Sequence, residues 1–400
     1  MAISDHQIEW LTQEEVLVFD NLTKLLAIVG TTSRSKKWYR MFSLIFWLAA
    51  YIPMIVGLTV TAVHYIKDLD FLAYTLHHLV LITVAVFVTH LVVPLFDTQI
   101  LYVMNASKNT YNYESDFVEN YAKKIIRKRI KLSRTITKMI YFGMVWIMLE
   151  VQVFFMIETF FLKSYQTVFP LAIGLDLNRW LVFVPVVLWQ ELIVYYTTFL
   201  PTTLAVLCYT AWSHLDLEMR ILTYAIANVQ KIVNEKLSQD GGPGSVSEIY
   251  VSYCNHFAKH HADIISEYRL AVSWITPLVF FIGAILFITV GLSLMSDNLG
   301  IKLKLFWFLV VQYIVIYFWC LISQKIGEKS EEISEVVVST PWWLMPRSCQ
   351  STLLLIMTRC KKPLVLSTPL GADVNVESFM EMMKSVYQAI SVVYQMKTTS

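Results

Sequence analysis

The sharpest candidate for chemistry is the stretch HFAKHH, which places His256, His260 and His261 together. On a helix His256 and His260 share a face, the spacing of a paired metal ligand, and membrane desaturases use such boxes. Those enzymes need several boxes, and the remaining histidines (His6, His64, His77, His78, His90 and His214) form no second cluster on the same side. A solvated helix face beside the membrane is the better reading, so no metal, cofactor or catalytic residue is assigned and the chain is not read as an enzyme. Three carboxylates, Glu150, Glu158 and Glu191, stand inside apolar stretches, where each costs about 3 kcal/mol unless it faces a polar interior. Glu150, Phe154, Ile157 and Glu158 recur at helical spacing, so one face combines acids with aromatics. That face can tie helices together by hydrogen bonds or wall a ligand cavity, and the two roles can coexist.

Tyr74, His78, Phe154, Phe155, Trp189 and Phe308, with Glu158, are the candidate lining of a cavity for a small apolar molecule. For any one aromatic in a membrane helix, packing or interfacial anchoring is the commoner role. A further pattern closes the chain. Glu381, Lys384, Ser385, Gln388, Ser391 and Gln395 step by three or four and make one wet stripe of a helix, opposite Met383, Val386, Tyr387, Ile390, Val393 and Tyr394. A wet stripe in a bilayer needs water or a partner stripe. Copies of the helix around an axis supply both and make a pore; packing against the helices of its own subunit is the other reading.

These groups require elements that cross a bilayer. The 400 residues are 56% hydrophobic with mean hydropathy +0.55, and 16% are charged against about 25% in a soluble domain, which excludes an ordinary soluble enzyme. A net charge of +2 points to no nucleic-acid partner. Stretches long enough for a hydrocarbon core of about 30 Å run at 41–63, 71–95, 137–161, 181–212, 270–295 and 305–323, and the less apolar 377–396 makes a seventh. Of the 30 Lys and Arg outside these stretches, 24 fall in the N-terminal segment and the second, fourth and sixth loops. That excess predicts a cytoplasmic N-terminus and, with seven spans, an extracellular C-terminus, inverted relative to a G-protein-coupled receptor. All five cysteines fall in the inner half of a span or on the predicted inner side, as free thiols should. The sequons at Asn21 and Asn105 lie on that side too, where they escape glycosylation. The N-terminus lacks a secretory signal, and SQDGGPGSVS (238–247) reads as a flexible turn. The expected organisation is an all-α, single seven-span membrane domain over 1–400: N-terminal segment 1–40, spans one to six 41–323, anchor region 324–376 and span seven 377–396.

Three C-terminal stretches carry a resemblance: PWWLMP (341–346), STLLLIMTRCKKPLVLS (351–367) and VNVESFMEMMKSVYQAIS (374–391). They resemble the insect odorant receptor family, specifically an odorant-tuned subunit, and length, seven spans and inverted orientation extend the likeness along the chain. The resemblance implies a ligand-gated, non-selective cation channel in the plasma membrane of sensory neurons, a heterotetramer with the shared odorant co-receptor and surrounding lipid. It implies that a small volatile binds in the outer half of the bundle, that the last helix lines the pore, and that an apolar constriction lies at Val392 and Met396 beside Gln388 and Gln395. The gustatory branch, with Thr-Tyr and Gln-Phe in the last helix, is the alternative within the superfamily. Here those positions read Gln388, Ala389 and Gln395, Met396. The fourth loop, at about 60 residues, is shorter than the co-receptor's. A transporter predicts paired broken helices and an iron-dependent desaturase predicts more histidine boxes; neither pattern is found.

Overall fold

The computed structural model describes residues 7–9, 35–88, 90, 93–95, 98, 102, 109–157, 159, 169–171, 179–240, 246–272, 275–295, 299–367 and 373–399. Glu158, the two sequons and much of the 238–247 turn lie outside the described residues, as does the side chain of Met396. Among the described residues ten helices carry the fold: α1 (Lys37–His64), α2 (Leu69–Phe87), α3 (Asp116–Met156), α4 (Trp180–Ala227), α5 (Val229–Asp240), α6 (Val246–Val272), α7 (Ile275–Leu294), α8 (Leu299–Ser339), α9 (Arg347–Cys360) and α10 (Val376–Thr399). Single helical turns at Val93–Leu95 and Trp342–Leu344 join them. Two three-residue strands, β1 (Gln7–Glu9) and β2 (Asn109–Tyr111), pair antiparallel with Gln7 opposite Tyr111.

Local chemistry sets the helix starts. The Asp68 carboxylate accepts from the Phe71 N–H at 3.1 Å and caps α2, filling one of the open donors of a first turn. Asn375 does the same for α10, accepting from the Ser378 N–H at 2.8 Å, and Asp116 and Glu119 bring negative charge to the first turn of α3. Among the described residues, five helices are long and apolar enough to cross a membrane: α1, α2, α3, the 180–199 part of α4, and α8; 282–294 within α7 is a shorter apolar stretch. α3, α4 and α8 run 41, 48 and 41 residues, roughly 60–70 Å at 1.5 Å per residue. They therefore extend far past a bilayer of about 30 Å, α3 at its N-terminal end, which is rich in Lys and Arg, and α4 and α8 at their C-terminal ends.

The largest core lies in those extensions. The second half of α4 (Leu215, Met219, Leu222, Ile226) packs with Phe257 of α6, Ile333 of α8, Leu353 of α9 and Phe379 of α10. A second cluster joins α1, α2 and α4 through Tyr51, Met54, Leu58, Ile82 and Ile193, and a small third one joins Tyr74, Val290, Ile301 and Leu305. The five cysteines are free and buried. Trp38, Phe42, Ile45, Ile52 and Val63 of α1 are exposed, as on a helix that meets lipid.

Candidate ligand-binding site

Between α2, α3, α4 and α8, at the end opposite the long extensions, lies a cavity lined by Tyr74, His77, His78, Leu81, Ile147, Glu150, Val151, Phe154, Phe155, Phe169, Val194, Thr197, Thr198, Lys304, Leu305 and Phe308. A water-sized sphere can place its centre in about 100 Å³ of it. That is several times the roughly 10–15 Å³ that a single water requires, enough for a small organic molecule. The wall is an aromatic cage. Tyr74 and His78 meet edge to face at 4.5 Å, His78 and Phe169 at 5.4 Å, and His77 and Phe308 at 4.9 Å. His78 Nδ1 lies 2.8 Å from the Tyr74 carbonyl; a carbonyl only accepts, so Nδ1 carries the proton and Nε2 stays an acceptor. Glu150, Thr197, Thr198 and Lys304 supply the polar points that can orient a guest, and one Glu150 oxygen is buried without a hydrogen-bond partner.

Of the residues singled out in the sequence, the structure brings Tyr74, His78, Phe154, Phe155 and Phe308 onto this cavity; Glu158 lies outside the described residues. Trp189 is elsewhere. Its indole N–H donates to the Ala50 carbonyl at 3.0 Å, and the ring packs on the cluster of α1, α2 and α4. Glu191 accepts a hydrogen bond from Gln152 and so ties α4 to α3. Sequence reasoning missed His77, the threonine pair, Lys304 and Phe169. The spacing of Thr197 and Thr198 one turn from Val194 was readable, whereas Phe169 reaches the site from a connection without periodicity.

The cavity touches the last helix through α7. His77 Nδ1 and the Thr289 hydroxyl lie 3.1 Å apart. Two residues on, Gly291 faces α10 so closely that a Cβ there would stand 2.1 Å from Ile390 Cδ1. On α10, Phe379, Met382 and Val386 are buried and Met383, Ile390 and Val393 half-buried, whereas Glu381, Lys384, Ser385, Gln388, Val392 and Gln395 are exposed. Most of the wet stripe thus lies on the surface of the chain; its Ser391 is half-buried, and Tyr387 and Tyr394, read in the sequence as the opposite side, are exposed as well. Val392 is 56% exposed.

The HFAKHH face is a correction: it is buried, not solvated, with His260 and His261 enclosed. Tyr111 and Tyr113 close over it, the Tyr113 hydroxyl 2.7 Å from His260 Nδ1 and the Tyr111 hydroxyl 3.0 Å from His256 Nδ1. His260 Nε2 donates to Glu218 at 2.8 Å, and the Tyr111 N–H reaches the same oxygen at 3.2 Å. Burial pushes the Glu218 carboxyl up, but the His260 hydrogen bond and the nearby His214 and His260 hold it below the usual carboxylate range. His214 bridges Glu267 at 3.3 Å and Arg129 at 3.4 Å, and burial lowers Arg129 to about 10. Burial, with Arg359 and His260, lowers His261 to about 4; Cys360 Sγ lies 3.4 Å from its Nε2. Among the described residues no group of three or more His, Cys, Asp or Glu is arranged to hold a metal ion.

A family model described as 7tm Odorant receptor matches residues 73–387. The insect olfactory receptor OR5 from Machilis hrabei, solved in complex with eugenol, superposes with a TM-score of 0.74 at 12% identity, covering 96% of this chain and 99% of that one. A second structure of the same receptor gives 0.70 at 12% identity, covering 96% and 100%. No curated protein matches by sequence. The fold is accordingly all-α and seven-transmembrane, and the protein is a multi-pass membrane protein.

Proposed function

The chain belongs to the 7tm odorant receptor family, a family of receptors rather than enzymes, and from that premise we propose that it is an odorant-gated, non-selective cation channel subunit. The observation that carries the channel reading is the polar stripe of α10, of which Glu381, Lys384, Ser385, Gln388 and Gln395 are exposed while Phe379, Met382 and Val386 of the same helix are buried. Within a bilayer such a stripe finds water when copies of the helix surround an axis. The assembly is a heterotetramer in the plasma membrane of sensory neurons, with an odorant co-receptor supplying the other subunits. Val392 and Met396, beside Gln388 and Gln395, form the constriction, and apolar side chains there block ions by dewetting when the ring is narrow. The chain is a single membrane domain over 1–400, with its N-terminus cytoplasmic and its C-terminus extracellular, as the 24 basic residues on one side support.

The ligand is a small volatile held by Tyr74, His78, Phe154, Phe155 and Phe308, with Glu158 beyond them. The eugenol complex of an olfactory receptor with this fold supports a small organic molecule as the ligand class. Gating needs only that the ligand bind the open state better than the closed one. An occupied cage biases α2, the His77–Thr289 contact passes that bias to α7, and Gly291 against Ile390 passes it to α10, which moves outward from the pore axis. Currents recorded from cells expressing this chain alone, and with a co-receptor, under a panel of volatiles test the reading. Ligand-evoked cation current with the co-receptor is expected. Its absence across the panel, with both subunits at the cell surface, overturns the proposal.

A further inference from the structure

One side of α3 changes character along its length. Lys124, Arg127, Lys128, Lys131, Arg134 and Lys138 are all exposed and, at 3.6 residues per turn, fall within about 120° of the helix circumference. The same side continues, without a break in the helix, into Met139, Phe142, Trp146, Leu149 and Met156, every one exposed. Arg129 falls on the opposite side and is used internally: its Nε donates to Ser213 Oγ at 3.2 Å and its Nη1 to His214 at 3.4 Å. The outer face is therefore cationic up to Lys138 and apolar from Met139. A lipid-facing helix shows that order where it passes from hydrocarbon into the headgroup layer.

We infer that this face of α3 binds an inner-leaflet phospholipid whose headgroup carries several phosphates, an inference that rests on the proposed cytoplasmic placement of the basic end. Continuity with the lipid-facing surface favours a lipid over a soluble anionic protein, and charge complementarity favours a polyvalent headgroup. Arg127, Lys131 and Lys138 lie within about 40° of one another and span roughly 16 Å along the axis. A headgroup with one net charge sits against the hydrocarbon and meets only the upper cations. An inositol ring bearing phosphates stands further into the water and meets the lower ones as well.

The test uses the full chain assembled with its partner subunit, purified in detergent, and a fluorescent short-chain phosphatidylinositol 4,5-bisphosphate as probe, with phosphatidylserine and phosphatidylcholine as competitors. The triple variant Arg127→Gln, Lys131→Gln, Lys138→Gln should lose affinity roughly a hundredfold. The triple Arg127→Lys, Lys131→Arg, Lys138→Arg should keep it, and neither competitor should displace the probe at matched concentration. Unchanged binding in the Gln variant, equal displacement by phosphatidylserine, or charge-dependent capture of calmodulin in place of lipid overturns the inference. Size-exclusion elution checks that the Gln variant is folded, and the Lys/Arg triple gives a second readout. Binding in detergent is independent of which side α3 faces, so intact binding with the reverse orientation by tag staining overturns the cytoplasmic placement alone.

Discussion

The contact between α7 and α10 at Gly291 makes the gating path measurable. A Cβ at position 291 would stand 2.1 Å from Ile390 Cδ1 and 3.2 Å from Cγ1, whereas carbon atoms rest at about 3.5–4.0 Å. Gly291→Ala therefore turns Ile390 to another rotamer or pushes α10 more than about 1 Å away from α7. Overpacking of this kind costs about 1–3 kcal/mol. Opening is proposed to carry α10 outward from the axis, toward α7, so the added methyl opposes the open state. The ligand concentration for half-maximal current should rise by roughly 5- to 150-fold. Ile390→Val removes the colliding Cδ1, costs about 0.5–1.5 kcal/mol alone, and should restore most of the potency in the Gly291→Ala background. Concentration–response currents with surface labelling measure both effects. Normal potency in Gly291→Ala, or a loss that Ile390→Val leaves untouched, refutes the path from α7 to α10.

Phe154→Ala and Phe308→Ala should reorder the potency ranking of odorants, because each removes part of the cage wall. Trp189→Ala, which loses the hydrogen bond to Ala50, should scale all responses together with surface expression; an unchanged ranking in the first two variants places the ligand elsewhere. Val392→Ser should raise current in the absence of ligand, whereas Val393→Ser, on the half-buried side, should lower yield, and equal effects at the two positions contradict the assignment of the pore face. The His261 ring, lowered to about 4 in the folded chain from about 6.5 unfolded, binds its proton more readily when unfolded. Its contribution is complete above about pH 6.5 and erodes as pH falls toward 4, by about 2 kcal/mol at pH 5. Thermal melts of the solubilised protein at pH 7.5 and 5 should show that loss, and His261→Asn should lack this component; an identical shift in the variant rules out the histidine as its source.

Hydropathy marked six apolar stretches that fall on α1, α2, α3, α4, α7 and α8, because lipid demands an apolar stretch of fixed length, while α10 was read from its periodicity; hydropathy located lipid and not helix ends. α3 begins at Asp116 and α4 continues to Ala227, beyond the expected spans, since a helix entering water can become polar without stopping. The α10 stripe was legible because one helix contains the whole pattern. The cavity was legible only in part: aromatic type marks Phe154 and Trp189 alike, and only packing across four helices separates a wall from an anchor. The burial of His260 was out of reach, because the Tyr113 that covers it lies 147 residues away and a local pattern cannot report a distant partner.

The β1–β2 pair joins residues 7–9 to residues 109–111, and the segment it holds supplies Tyr111 and Tyr113 to His256, His260 and Glu218. This assembly draws on separate parts of the chain, two of them made well before α6. A nascent chain emerging from the ribosome cannot close it until α6 has been translated, long after the first spans have entered the bilayer. Lesions in the tyrosine–histidine seam should therefore surface as failures of biogenesis, with chains retained and degraded before reaching the cell surface, while the few that escape conduct normally.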